Sequence, residues 1–319
     1  KARFGVTAGD ILYRDILDLN RSEEYRLRAG SVEVKPVSQV TVGVTFVSGK
    51  SKFPPPTFPD MHAQFNIPEY FVRASVAGVD VALSYAEKRT SVYNDTTGTH
   101  RGTGFYGSVS YSEESFGVTL EYKDYRFGIA DPYGRNNRNR ANKAFAFQNA
   151  PIVHKEHTFT LLSRYPHVID FNDEVGFQVD VFYTLFGRLT GNLNFSAASR
   201  HYSFAPTGDT VMFLPVYGSK PRNTSWLPSF DRKFSPFWEA YAEFQYYFEE
   251  GGTDYVLVAL NRRSEDIAEE LRTPTNPQGF IESRRLSAIP ISIQYTIGED
   301  WTVKFVSERQ WVYDDGNKA

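Results

Sequence analysis

The sequence predicts an all-β fold, a transmembrane antiparallel up-and-down β-barrel, and three observations carry that prediction. Short windows alternate apolar and polar residues with period two along most of the chain. Aromatic residues are abundant and sit near the ends of the alternating segments, with 26 Phe and 20 Tyr against 2 Met. The connections fall into two classes, tight turns and long polar stretches, the pattern by which outer-membrane barrels distinguish their two rims.

The clearest strand places Val175, Phe177, Val179, Val181, Tyr183 and Leu185 on one face, with Gly176, Gln178, Asp180 and Thr184 on the other. The next sets Leu189, Gly191, Leu193, Phe195 and Ala197 against Arg188, Thr190, Asn192, Asn194 and Ser196, after a tight turn near Phe186 and Gly187. The same hairpin logic joins Val72–Ala77 to Val79–Glu87 through Gly78, and Thr103–Tyr111 to Val118–Tyr125 through 113–115. Further tight turns are expected at 36–39, 249–252 and 298–300. The first strand opens at Arg3–Ala8 and the last is Val303–Tyr313. Counting all such segments gives about fourteen strands, most near the ~9–11 residues that cross a bilayer at a tilt.

Long connections are expected at 50–67, 90–101, 128–153, 202–232 and 265–285. Between Tyr125 and Glu174 the alternation of short and long connections shifts by one strand. Either 144–148 forms an extra strand or part of this region folds inward. Glu265–Leu271 reads as a short surface helix with Ser264 as its N-cap.

Composition narrows the classes. No run approaches the ~18 consecutive apolar residues of a spanning helix, so membrane residence has to come from strands. The absence of Cys removes disulfides, thiolate metal sites, cysteine nucleophiles and c-type haem attachment. Lys and Arg total 35 against 38 acids, a net charge of -3 that offers nucleic acid no electrostatic footprint. A soluble β-sandwich also alternates. Charges at central strand positions, and Tyr85, Tyr111, Tyr122, Tyr183, Phe248, Trp301 and Tyr313 at or near strand ends, favour the barrel. Residues 1–319 read as a single barrel. Its last strand runs into the polar residues 314–319, so further strands are expected beyond Ala319 and before Lys1, or a second chain that completes the sheet.

Several stretches resemble a family of outer-membrane β-barrel proteins of Bacteroidota and related phyla that has no assigned function. The resemblance is carried by residues 4–10 (FGVTAGD), 121–125 (EYKDY), 157–162 (HTFTLL) and 170–178 (DFNDEVGFQ), over roughly the first two thirds of the chain. It implies a barrel in the cell outer membrane and no chemistry. Under the same likeness, Asp95-Thr96-Thr97 and Asp209-Thr210-Val211 resemble the acidic-hydroxyl motif that such bacteria O-glycosylate, which makes Thr96 and Thr210 candidates for modification.

The polar strand faces predict a lumen lined by Arg73, Lys123, Arg188 and Lys304 against Asp80, Glu121, Asp180, Glu239 and Glu243. His154 and His157 fall on opposite faces if their segment is a strand, which argues against a shared zinc ion. His157, His167 and His201 have Ser163, Asp170 and Asp173 as candidate catalytic partners, with no spacing that fixes a geometry. Asp170, Asn172, Asp173 and Glu174 offer oxygens to calcium without the order of an EF-hand. Arg135, Arg138 and Arg140 suit lipopolysaccharide or a charged constriction. The 202–232 loop carries Phe204, Phe213, Leu214, Tyr217, Trp226, Leu227 and Phe230, too apolar for a free loop, so it is expected to pack into the barrel mouth or against another envelope protein. The expected function is a passive, weakly selective pore for small solutes. The alternative is a plugged structural or docking subunit of a cell-envelope complex. No catalytic constellation, cofactor or metal is expected, and the expected partners are the lipid bilayer and lipopolysaccharide.

Overall fold

The computed structural model describes residues 1–14, 22–51, 63–92, 99–126, 154–169, 173–211, 214–222, 224–268, 281–298 and 301–315. Thirteen strands follow one another as neighbours in a single antiparallel meander. They are β1 (Ala2–Arg14), β2 (Ser22–Val37), β3 (Val40–Ser51), β4 (Ala63–Val76), β5 (Val79–Val92), β6 (Thr99–Ser112), β7 (Phe116–Arg126), β8 (Asp173–Leu185), β9 (Leu189–Ser199), β12 (Phe237–Tyr247), β13 (Tyr255–Ala268), β14 (Ile281–Ile297) and β15 (Trp301–Asp314). A separate two-stranded sheet, β10 (Tyr202–Val211) and β11 (Leu214–Pro221), stands between β9 and β12 in sequence. The stretch expected to be a long loop at 202–232 thus contains a hairpin of its own.

The connections alternate in kind. Turns of two or three residues follow β2, β4, β6, β8 and β14 and a seven-residue turn follows β12, whereas the connections after β1, β3, β5, β7, β9 and β13 run from six residues upward. The expected slip between Tyr125 and Glu174 does not occur, because one connection carries the chain from β7 to β8. Within it, residues 154–169 form no sheet strand, whereas 144–148 lie outside the described residues. The turn after β4 puts Ala77 and Gly78 at φ 50 and 78, the left-handed pair of a two-residue hairpin whose twist matches its strands. Phe186 and Gly187, at φ 54 and 64, repeat the arrangement after β8.

The chain divides into two compact units, one formed mainly by residues 1–108 and one mainly by 152–170 and 174–319, with β6 and β7 divided between them. In the first, the register sets Val32, Val44, Tyr70 and Tyr85 on one face, all substantially exposed. Its opposite face carries Glu33, Thr41, Arg73 and Asp80. Gly43 lies under the ring of Phe71, where a Cβ would fall 2.2 Å from Cζ. A side chain here would have to displace the ring, which glycine leaves in place.

In the second unit, Phe195, Phe244, Val258, Ile293 and Phe305 are among the exposed residues of one face of β9 and β12–β15. The opposite face is polar toward both ends and has an apolar patch midway. There Tyr241, Leu257, Ala259, Leu286 and Ala288 pack with Phe159 and Leu162, which come from outside the sheet.

Candidate functional site

Residues 154–169 lie as a strap across this polar face. Its apolar residues hold the middle: Phe159 and Leu162 are buried on β12, β13 and β14, with Tyr165 packed beside them. One helical turn, α1 (Thr160–Ser163), presents the N–H groups of Thr160 and Leu161 to the Glu308 carboxylate of β15 at 3.0 and 2.7 Å. These are donors that a helix start leaves unpaired, and a carboxylate is their natural acceptor. Gln310, two residues along the same strand face, donates to the Leu161 carbonyl at 2.7 Å.

Charged pairs fix both flanks. The Lys155 ammonium lies 3.5 Å from the Asp180 carboxylate on β8, which also accepts from the Asn192 and Asn194 amides of β9. His157 Nε2 meets Glu239 of β12 at 2.8 Å, and the same carboxylate oxygen accepts from Asn261 at 2.6 Å. At the far end His167 Nδ1 meets Glu265 of β13 at 2.6 Å, and its Nε2 lies 3.5 Å from Glu174 of β8. The Val168 N–H donates to Glu265 at 2.8 Å. Arg263 closes the cluster, donating to Glu265 at 2.5 Å and to the Tyr165 carbonyl. The His167 ring stacks on Phe237 at 4.0 Å between centroids, and Arg263 covers that phenylalanine at 5.1 Å.

His167 is the titrating group of this end and lies outside the strands. Burial disfavours its charged form, but Glu174 and Glu265 outweigh burial and raise its pKa above the ordinary value. The groups facing it are Glu174 from β8, Glu265 and Arg263 from β13, and His154, whose ring lies 5.6 Å away. A raised pKa stabilises the fold fully below the unfolded value of about 6.5 and loses that contribution as pH rises through the folded value. The midpoint of thermal unfolding is therefore expected to fall between about pH 6 and pH 9 in the native chain, and to fall less in His167→Gln. Equal slopes in both proteins would contradict the assignment.

The structure redistributes the residues expected to line a lumen. Asp180, Glu239, Glu243 and Lys304 share the strap face of the second unit, with Glu239 only 2% exposed beneath His157. Glu243 accepts the Tyr241 hydroxyl at 2.5 Å. Arg73 and Asp80 share the polar face of the first unit. Lys123 corrects the expectation of a solvated lining: it is fully buried, with its ammonium 5.8 Å from the Tyr125 ring. Glu121 is half-buried on the same strand. Arg188 occupies the turn between β8 and β9 instead of a strand face.

Other expectations are corrected as well. Ser264–Ala268 continues β13 and pairs with β14, so no helix starts there. His154, His157 and His167 sit on the strap, not on a strand, and pair with carboxylates and aromatic rings. Among the described residues no three His, Asp or Glu side chains gather with metal-ligand geometry. Glu174, counted among the calcium candidates, faces His167 instead. His201 lies at the base of the β10–β11 hairpin, its carbonyl accepting from Arg222 N at 3.1 Å. Trp226, Leu227 and Phe230 are exposed, so these three do not pack against the chain's own strands, which leaves the other expectation, a contact with another protein, untested. Arg135, Arg138, Arg140, Asp170, Asn172 and Thr96 lie outside the described residues, and Thr210 lies in β10. Arg263, Glu265, Glu308 and Gln310 were missed as site residues; Tyr255–Glu265 reads as six apolar residues followed by five polar ones, so alternation assigns Arg263 and Glu265 to no face, and only the register does.

A family model for a family of unknown function, DUF6029, matches residues 29–204, more than half of the chain. The chain belongs to the DUF6029 family. Three of the four stretches noted above, all but residues 4–10, lie within that match. No curated protein matches the chain. Among solved structures, the RagAB peptide importer in its closed-closed state is similar at a TM-score of 0.39 and 10% identity, over 98% of this chain and 37% of that chain. The Salmonella typhi OmpF complex with daunomycin is similar at a TM-score of 0.25 and 8% identity, over 98% of this chain and 97% of that one. The DUF6029 chain thus spans well under half of the RagAB chain that it matches.

Proposed function

We propose that this DUF6029 protein is a non-enzymatic outer-membrane β-barrel in which residues 154–169 narrow a water-filled lumen, leaving a small and weakly selective passage for solutes. The observation that carries the reading is the strap itself. A connection segment crosses the charged face of β8, β9 and β12–β15, held by Asp180, Glu239, Glu265 and Glu308, while the reverse face of those strands is exposed and apolar. Water is the poor solvent for that reverse face, and lipid is the suitable one. Charges of both signs on the polar face, Asp180, Glu243 and Lys304 among them, give little preference for cations or anions. The Gln178, Asn194, Ser196 and Asn261 side chains each keep a buried oxygen without a protein partner, hydrogen-bonding capacity that suits water beside the strap.

Planar-bilayer recordings test this directly. The native chain should give small discrete conductance steps, and replacing 154–169 with a Gly/Ser linker should enlarge them by about twofold or more, as expected when a constriction is removed. Equal step sizes would sink the strap as a constriction, and silence from both proteins over many insertions would sink the pore. The exposed Trp226 and Phe230, at 63% and 61%, favour a second reading in which this rim docks another envelope protein. A stoichiometric partner retained through mild detergent extraction would support that reading.

A further inference from the structure

The apolar reverse face of β12–β15 changes character near the ends that lead to the long connections. The register sets out its rows. Trp238, Ser264, Arg285 and Tyr313 lie side by side across the four strands, and Ala240, Arg262, Ser287 and Trp311 form the next row. Arg309 follows opposite Ile289, level with Leu260. Beyond these rows the face is Val258, Ile291, Ile293, Val303 and Phe305, with no charge.

The three arginines are exposed, and none pairs with a carboxylate among the described residues. The nearby acids are engaged elsewhere, because Asp266 and Asp315 both take Arg232, and both also hydrogen-bond Ser283. Arg262 and Arg285 are diagonal neighbours, about 7–8 Å apart by strand geometry, so unneutralised they repel. Arg309 lies over the Trp311 ring at 4.9 Å. Trp238, Arg262, Ser264, Arg285, Trp311 and Tyr313 border a shallow depression of about 430 Å³.

We propose that this depression binds the net-anionic phosphate headgroup of a membrane lipid, in which no attached cation neutralises the phosphate. Arg262 and Arg285 take the phosphate, Arg309 adds positive charge beside Trp311, and the acyl chains lie on the apolar rows below. The proposal rests on the membrane reading above. A guanidinium presents a planar fork of donors that matches phosphate oxygens two at a time, and two unneutralised guanidiniums side by side, with a third further along the same face, ask for an anion. Tryptophan and tyrosine beside it occupy the level where a bilayer meets water. The continuous apolar face directly beneath is what distinguishes a lipid from free phosphate. Short turns lie at the opposite ends of these strands, so the site falls on the rim with the long connections, which outer-membrane barrels turn outward.

The test uses the full chain and the Arg262→Gln/Arg285→Gln/Arg309→Gln variant, each first floated with phosphatidylcholine vesicles to score insertion. Both are then extracted in neutral detergent with added monophosphoryl lipid A, matched-chain phosphatidylcholine or inorganic phosphate, and bound lipid is counted by native mass spectrometry. The expected result is stoichiometric lipid A on the native chain, reduced about tenfold or more in the variant, with phosphatidylcholine unaffected and inorganic phosphate failing to displace the lipid. Equal lipid A on both proteins overturns the site, as does displacement by inorganic phosphate or a dimer in place of a lipid adduct. Failure of the native chain to float with vesicles overturns the membrane reading and this site with it. Insertion without a preference for lipid A overturns the site alone.

Discussion

Glu265→Gln is expected to lower the stability of the folded chain by about 3–5 kcal/mol, the cost of removing one partner from a buried ion cluster. The carboxylate is 2% exposed and accepts from His167, the Val168 N–H and Arg263. The amide keeps the shape but carries no charge, and one of its two polar atoms is a donor facing donors. Arg263, and His167 whenever it is charged, would then share Glu174 at most, in surroundings with little water. The His167→Gln/Glu265→Gln double variant should recover part of the loss, because neutralising both sides leaves fewer buried charges unpaired. Denaturant unfolding in micelles, followed by tryptophan fluorescence, reads both values. A loss below about 1 kcal/mol for the single variant would mean that the cluster does not hold the strap.

Phe237→Ala is expected to cost a similar amount, about 3–5 kcal/mol, by a different route. Phe237 is completely buried at the start of β12, with the His167 ring stacked on it and Arg263 above it. Truncation opens a cavity beneath a charged cluster and removes the surface on which the imidazole lies. Strap anchoring should suffer along with stability. Limited proteolysis near 164–169 should become faster than in Phe305→Ala, which removes a 60% exposed ring from the opposite face. Equal protease resistance in the two variants would disconnect Phe237 from the strap.

Much of the sheet was legible because the pattern that specifies a strand is local. In β8 and β9, alternate residues from Val175 to Ala197 state which side chains share a face, and Phe186–Gly187 marks the turn between them without reference to any distant residue. Asp180, Glu239, Glu243 and Lys304 were likewise legible as members of a polar face. The strap was not. Residues 157–162 contain alternation enough for a strand, yet they close into one helical turn because Glu308 and Gln310 meet its backbone. Ser264–Ala268 errs in the other direction: a serine followed by acids suits a helix start, but pairing with Arg285–Ile281 holds it extended.

What the sequence by itself determined is the period-two pattern, the tight turns and the two chemically distinct faces, each set by residues within a few positions of one another. Only the tertiary structure decided what covers the polar face and which arginines stand together on the other. His157 and Glu239 are 82 positions apart, His167 and Glu265 98, and Leu161 and Glu308 147. Alternation states that a carboxylate points away from the apolar face, but it carries no information about the partner that neutralises it. That partner is chosen by sheet register and by the course of a long connection, which bring donors and acceptors together across most of the second unit.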